Sequence, residues 1–390
     1  MKKYTYLIIG GGIAAASAVN GIREKDKEGS IGILTSEAYK PYSRPPLSKD
    51  LWKEMPVDKI WLQIEDEKTD IQTNNLVVEL NLKNKYVSTQ SGEEFGYQTL
   101  LIATGAEPKR LPFTDEDIIY FRKYSDYLRV RDLAEKQDYF AVIGAGFIGS
   151  EIAAALALKG KKVFLIETGA GIGWRVFPQE IVEYLNELYV SKGVQILANT
   201  VVKNIVNQGN CHRIILNNGQ TIQVDGVIAG VGVKASSQIA EKAGIFVEDG
   251  IRVNSYLETS APDVFAAGDV AAFHSPALDK TLRVEHNDNA KKMGQIAGIN
   301  MASGNLEYDY LPMFYSDLFE IGYEAVGLID TRLDPKVIWK EEFKSGVIYY
   351  RKENIIKGIL LWNEWGKVDI ARAIIREQKW IEEKNLQKLI

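Results

Sequence analysis

Residues 139–160 read YFAVIGAGFIGSEIAAALALKG, and residues 6–18 read YLIIGGGIAAASA. Each runs from an apolar strand through clustered glycines into a helix of small residues. The spacing is Gly144-x-Gly146-x-x-Gly149 in one and Gly10-x-Gly12-x-x-Ala15 in the other. Such a turn lets a pyrophosphate approach the backbone amides at a helix N-terminus, whose partial positive charge favours it. One pattern of this kind is weak evidence, because glycine turns are common. Both copies, however, reach an acidic residue at the end of the next expected strand: Glu37 in IGILTSE (31–37) and Glu167 in KVFLIE (162–167). A carboxylate there can accept hydrogen bonds from ribose hydroxyls. The bland alternative, a glutamate that merely closes a strand, would have to occur twice in the same context.

Two dinucleotide sites in one chain imply a cofactor that stays and a cofactor that visits. LLIATGAEP (100–108) is an apolar strand ending in Ala103-Thr104-Gly105, just before the second glycine pattern, and PDVFAAGDVA (262–271) is another, ending in Gly268-Asp269. Together they read as a first domain interrupted by a second and then completed, with Asp269 reaching a ribityl hydroxyl of FAD. An ordinary turn is the alternative for Gly-Asp. The Glu167 carboxylate accepts ribose hydroxyls and repels the extra phosphate of NADPH, so NADH is the expected visitor. Arg175, in the loop beyond, could reach that phosphate, which keeps NADPH as a second candidate.

Bulk properties bound the rest. With 390 residues the chain can bury two or three cores, and a formal charge of −5 gives no sign of a nucleic-acid-binding surface. A single cysteine, Cys211, rules out an intrachain disulfide, a CxxC pair and a cysteine-based zinc site, and no metal is expected. That usage suits a reducing cytosol, so a cytoplasmic location is expected. The start, MKKYTYLIIGGGIAAASAV, has the outline of a secretory signal, but three consecutive glycines weaken the helix such a signal needs and suit a strand turning into a helix. No apolar run is long enough to span a bilayer.

Several segments carry a family resemblance over nearly the whole chain: PYSRPPLSKDLW (41–52), GAGFIGSE (144–151), AAGDVA (266–271), RVEHNDNA (283–290) and PMFYSDLFEIGYEAVG (312–327). In these the chain resembles the FAD-dependent pyridine-nucleotide reductases. The branch is that of putidaredoxin reductase, rubredoxin reductase, the ferredoxin reductases of ring-hydroxylating dioxygenases, and apoptosis-inducing factor. The resemblance implies that the loop stiffened by Pro45 and Pro46 lies along FAD, with Arg44 near the adenosine and phosphates and Lys49 close to flavin N5 and O4. Lys49 and Glu151 are then the catalytic pair. A fixed positive charge stabilises the negative charge that builds during reduction, and a buried ammonium without its partner would tend to lose its proton. Phe147 would cover the nicotinamide position until NADH displaces it, core packing being its alternative. Glu285 and His286 would open a helix at the flavin's pyrimidine edge, with helix capping by Glu285, Asn287 or Asp288 as the local alternative. Tyr315 stands where close relatives carry tryptophan, and Lys109 where they carry arginine. Val78 and Gly232 complete the cofactor-binding candidates.

The expected fold class is α/β, with two Rossmann-like dinucleotide-binding domains, the NAD domain inserted in the FAD domain, plus a C-terminal α+β domain with an antiparallel sheet. The expected boundaries are 1–112 with 245–305 for FAD, 113–244 for NAD(P)H, and 306–390 for the third domain. Within the last, EAVGLI, KVIWKEEF and GVIYYRKENIIKGILLWN read as antiparallel strands, and VDIARAIIREQKWIEE as an amphipathic helix. The expected function is NADH-dependent electron transfer through FAD to a small redox protein such as ferredoxin or rubredoxin, by a monomer or homodimer. An NADH oxidase or quinone reductase is the first alternative, and a redox-responsive interaction protein like apoptosis-inducing factor the second. Disulfide substrates are not expected, since relatives that reduce them use a cysteine beside the flavin.

Overall fold

The computed structural model describes residues 1–64, 66, 68–112 and 117–390. The chain divides into two compact units: Met1–Ser43, Pro56–Glu107 and Lys234–Met313 make the first, and Arg44–Met55, Pro108–Val233 and Phe314–Ile390 the second.

The first unit is built on a seven-stranded sheet in the order Asp70–Gln72, Ile31–Leu34, Lys2–Ile9, Glu94–Ile102, Tyr86–Thr89, Val77–Asn81, with Val264–Ala266 pairing parallel to Glu94–Ile102. Lys2–Ile9 pairs in parallel with Ile31–Leu34 on one side and Glu94–Ile102 on the other. Helices Ile13–Lys25 and Asn287–Met301 meet almost backbone to backbone. A Cβ on Gly294 would lie 2.2 Å from the Ala14 carbonyl oxygen, and one on Gly298 2.1 Å from that of Ala18. This close approach is why the first helix is so rich in alanine.

The second unit carries a five-stranded parallel sheet, Val194–Leu197, Lys162–Ile166, Tyr139–Ile143, Gly226–Ala229, Ile119–Tyr120, beside a three-stranded antiparallel one. Its C-terminal part is a five-stranded antiparallel sheet in the order Met313–Leu318, Ile321–Gly327, Ile355–Trp362, Ser345–Lys352, Asp334–Glu341. The longest apolar segment expected here, residues 346–363, splits into two strands at Glu353 and Asn354, both with positive φ (54° and 62°), the geometry of a tight two-residue hairpin. The expected C-terminal helix covers only Val368–Glu377, because Gln378 turns left-handed (φ 50°) and Trp380 bridges to Ile355.

The units differ from the expected boundaries at residues 108–112, 234–244 and 306–313, and in two larger placements. The proline loop, taken with the first domain by sequence, groups with the second unit because Trp52 packs edge-on against Tyr127 (5.6 Å) and Lys49 pairs with Glu151. The C-terminal sheet groups with the same unit rather than standing apart, since Tyr350 donates to the Val176 carbonyl (2.6 Å) and Phe177 packs on Tyr323 and Trp362. The expected boundary at 112–113 adjoins residues 113–116, which lie outside the described residues. Among the described residues no helix is long and apolar enough to cross a membrane, and no group of three or more His, Cys, Asp or Glu side chains is placed to hold a metal ion.

Candidate functional site

In the first unit the strand Lys2–Ile9 delivers the chain into Gly10, whose φ of +122° is open to glycine and strained for other residues. A Cβ there would fall 2.0 Å from the Ala103 carbonyl oxygen, and one on Gly11 would meet Thr35 at 2.5 Å. A Cβ on Gly12, the N-cap of Ile13–Lys25, would meet no atom within 4 Å. The glycine loop is therefore packed on its inner side and open in front of the helix N-terminus, a backbone cradle of the kind that takes a pyrophosphate. Ala15 is fully buried one turn into that helix.

The other candidates of this unit lie on adjacent loops. Glu37 sits three residues past the strand Ile31–Leu34, and its carboxylate accepts the Tyr42 hydroxyl at 2.6 Å. Thr104 donates to the Ser236 carbonyl (2.7 Å), and the Gly105 carbonyl accepts the Ser236 amide (3.0 Å). Asp269 is buried after Gly268, whose φ is +79°. Val78 lies on Val77–Asn81 and is 41% exposed. That strand follows Asn74 and Asn75, whose amides bond the Glu37 and Thr35 carbonyls.

Glu285 pairs with Arg283 at 2.7 Å, and His286 is the N-cap residue of Asn287–Met301. The helix has no side-chain cap: Asp288 is instead held by the Tyr310 hydroxyl (2.9 Å) and the Met313 amide (3.1 Å). Burial pulls the His286 imidazole down to about 4, against the opposing pull of Asp269. The ring is thus neutral at neutral pH, leaving the positive end of the helix to the backbone amides. Between pH 6.5 and about 4 the unfolded chain takes up a proton that the folded one refuses. The denaturation free energy of the wild type should accordingly fall by about 2–3 kcal/mol over that window, and His286→Phe should flatten this part of the curve. Equal slopes in equilibrium unfolding at several pH values would refute the assignment.

In the second unit the corresponding loop is tighter still. Gly144 has φ +95° and its Cβ would meet the Gly230 carbonyl oxygen at 2.5 Å, while a Cβ on Gly149 would lie 1.8 Å from the Gly144 oxygen. Gly146, the N-cap of Phe147–Leu158, again faces open space. Phe147 is exposed at the start of that helix with its ring 5.0 Å from Phe314. Lys109 donates its amide to the Gly232 carbonyl (2.9 Å), and its side chain is exposed.

Glu167 is 8% exposed, and four donors of the chain meet its carboxylate, three of them on one oxygen. Its Oε2 accepts the Ala145 amide (2.6 Å), and its Oε1 accepts Thr168 Oγ1 (2.9 Å), the Gly169 amide (3.1 Å) and Trp174 Nε1 (3.2 Å). Arg175 stacks over the Trp174 ring at 4.9 Å.

Lys49 and Glu151 form a buried ion pair at 2.6 Å, with residue exposures of 8% and 3%. The same carboxylate accepts Ser48 Oγ on Oε2 (2.6 Å) and Ser316 Oγ on Oε1 (2.5 Å). The Lys49 ammonium lies 5.3 Å from the centroid of Tyr315, which is 41% exposed, in range of a cation–π contact. Burial, with the Glu151 charge nearby, pushes the Tyr323 phenol far up, so it stays a neutral neighbour. Arg44 donates to the Arg122 carbonyl (3.1 Å), and Trp52 Nε1 closes the loop onto the Leu47 carbonyl (2.8 Å).

Sequence reasoning missed Tyr42, Ser48, Trp174, Ser236 and Ser316. Three of these lie in segments already singled out, but nothing in a linear pattern says which hydroxyl of such a segment meets which carboxylate.

The two open cradles, each with a carboxylate on a neighbouring loop, suit dinucleotides. Residues 4–294 match the family described as pyridine nucleotide-disulphide oxidoreductase. Residues 297–340 and 334–377 match the C-terminal domain of mitochondrion-associated apoptosis-inducing factor. The chain is 31% identical to apoptosis-inducing factor 1, mitochondrial, of Dictyostelium discoideum, over 99% of its own length and 80% of that protein's. It is also 31% identical, over 84% and 85%, to the ferredoxin--NAD(+) reductase component of a 3-phenylpropionate/cinnamic acid dioxygenase of Photorhabdus laumondii. Among solved structures, the ferredoxin reductase for the CYP199A2 system of Rhodopseudomonas palustris matches with a TM-score of 0.90 at 27% identity, covering 98% of this chain and 96% of that one. Putidaredoxin reductase in its covalent complex with putidaredoxin matches at 0.90 and 25%, covering 99% and 97%.

Proposed function

Because the chain belongs to the pyridine nucleotide-disulphide oxidoreductase family, we propose that it carries electrons from NADH through FAD to a small iron–sulfur or rubredoxin-type protein. It is an NAD(P)H-dependent flavoprotein reductase working with FAD and NADH. Bound FAD supplies an acceptor that takes two electrons together and can release them singly.

The observation that carries the reading is the buried Lys49–Glu151 pair with its two serine hydroxyls. In this reading the pair is a fixed cation, already compensated, that would need little reorganisation when negative charge develops beside it. Phe147 would shield the same region between turnovers, and the Gly144–Gly149 loop would hold the visiting nucleotide. The reductases for ferredoxin and putidaredoxin among the similar structures support a protein acceptor. The lone Cys211, just before the strand His212–Leu216, accepts the Gln223 side-chain amide on its sulfur and offers no dithiol for disulfide exchange. A cytoplasmic location and a monomer or homodimer belong to the same proposal.

Anaerobic stopped-flow reduction by NADH, followed by mixing with ferredoxin, rubredoxin, quinone or oxygen, tests it. The protein carriers should reoxidise the enzyme at least about tenfold faster than quinone or oxygen, given the steering that charge-matched partners add. Faster turnover with quinone or oxygen would favour an oxidase. Slow reoxidation by every acceptor, with a long-wavelength absorption band that persists in air, would favour the interaction-protein reading raised by the similarity to apoptosis-inducing factor.

A further inference from the structure

We propose that the Trp174 indole N–H competes with the ribose of NADH for Glu167 Oε1, and that its exchange for a ribose hydroxyl sets nucleotide affinity and choice. The inference rests on Glu167 being the ribose-binding carboxylate.

A carboxylate offers about four lone-pair sites. Two belong to each oxygen, and here Oε2 carries one donor, Ala145 N, while Oε1 is crowded by three, Thr168 Oγ1, Gly169 N and Trp174 Nε1. The two vicinal hydroxyls of a ribose would use both oxygens, and the one that bonds Oε1 must displace a donor. Two of the four are backbone amides that hold the glycine loop and the turn after the strand, and Thr168 is the adjacent residue. The indole N–H is the longest contact, at 3.2 Å, and comes from seven residues along the chain. It is the donor that can leave at least cost.

The surroundings are arranged for that exchange. The indole lies across Gly169, where any Cβ would sit 2.3 Å from the ring. Thr331 pins the backbone on either side, its amide to the Arg175 carbonyl (3.0 Å) and its hydroxyl to the Trp174 carbonyl (3.4 Å). Ile172 and Phe177 anchor the loop in the core. The Trp174 side chain is only half-buried, so it can turn away while the backbone stays in place. Arg175 is exposed and stacked on the same ring, a contact that restrains a cation able to pair with a 2′-phosphate. The indole thus acts twice: its N–H competes with the ribose, and its face detains the cation that NADPH would need.

Calorimetric titration of the FAD-loaded protein with NAD+ and NADP+ separates these effects. Trp174→Phe keeps a ring and removes the N–H, and should tighten NAD+ binding about three- to tenfold, since one hydrogen bond to a charged acceptor no longer has to be broken. Trp174→Ala also frees Arg175 and should cut the preference for NAD+ over NADP+ by about tenfold or more. A tryptophan that only shaped the loop would lose affinity on either change. Equal or weaker NAD+ binding by Trp174→Phe, with Glu167→Gln weakening it, overturns the exchange while leaving the ribose site intact. Unchanged binding by Glu167→Gln overturns the ribose assignment beneath it.

Discussion

Lys49→Met should slow reduction by NADH about ten- to a thousandfold while FAD stays bound, the range expected when one preorganised electrostatic group is lost. Methionine has similar length and no charge, and the Glu151 carboxylate keeps Ser48 and Ser316 as donors. Removing the cation leaves the Glu151 charge buried and should lower stability by about 3–5 kcal/mol, so reduction is measured well below the variant's melting temperature, on protein shown to be folded and FAD-loaded. Stopped-flow absorbance under anaerobic conditions, at saturating NADH, reads the reduction step directly. Unchanged rates would make Lys49 a structural cation that only neutralises Glu151. Lys49→Arg is the companion variant: it restores charge but not shape, so partial recovery would assign the effect to electrostatics.

The second large effect concerns retention of the flavin. The wild type should be yellow, with FAD released intact on denaturation. Gly10→Val should yield largely colourless protein, because its Cβ would fall 2.0 Å from the Ala103 carbonyl oxygen at a φ of +122°. That variant disturbs the loop itself. Gly12→Ala is the sharper test, for the new methyl group meets no protein atom within 4 Å and can obstruct only what enters the cradle. FAD affinity should drop about tenfold or more, as expected where backbone must approach a pyrophosphate closely, while the apoprotein melts at the wild-type temperature. A Gly12→Ala protein that retains FAD as well as the wild type would remove the pyrophosphate from this loop.

Much of this architecture is legible in the chain because it depends on local rules. The doubled strand–glycine–helix pattern is enforced by backbone sterics at Gly10, Gly144 and Gly149, so it shows wherever those residues recur at that spacing. The C-terminal strands show for a similar reason, since their alternation and turn residues are period-two signals, although the Glu353-Asn354 hairpin that divides residues 346–363 was not singled out. The helix at 368–377 was overextended by sequence because a left-handed Gln378 leaves no mark on amphipathic periodicity.

Sequence alone therefore determined which residue types stand ready: two glycine cradles, a lysine on a proline-stiffened loop, and glutamates after two strands. Tertiary structure decided who meets whom. Glu151 lies 102 residues from Lys49 and 165 from Ser316, yet all three share one buried cluster. Glu167, read as a ribose acceptor, already has its Oε1 crowded by three of the chain's own donors. The reason is physical. Backbone conformation is set within a few residues and leaves a pattern in the chain. A buried charge instead takes its partners from whatever the packing brings within about 3 Å, and that is a property of the folded surface rather than of any segment.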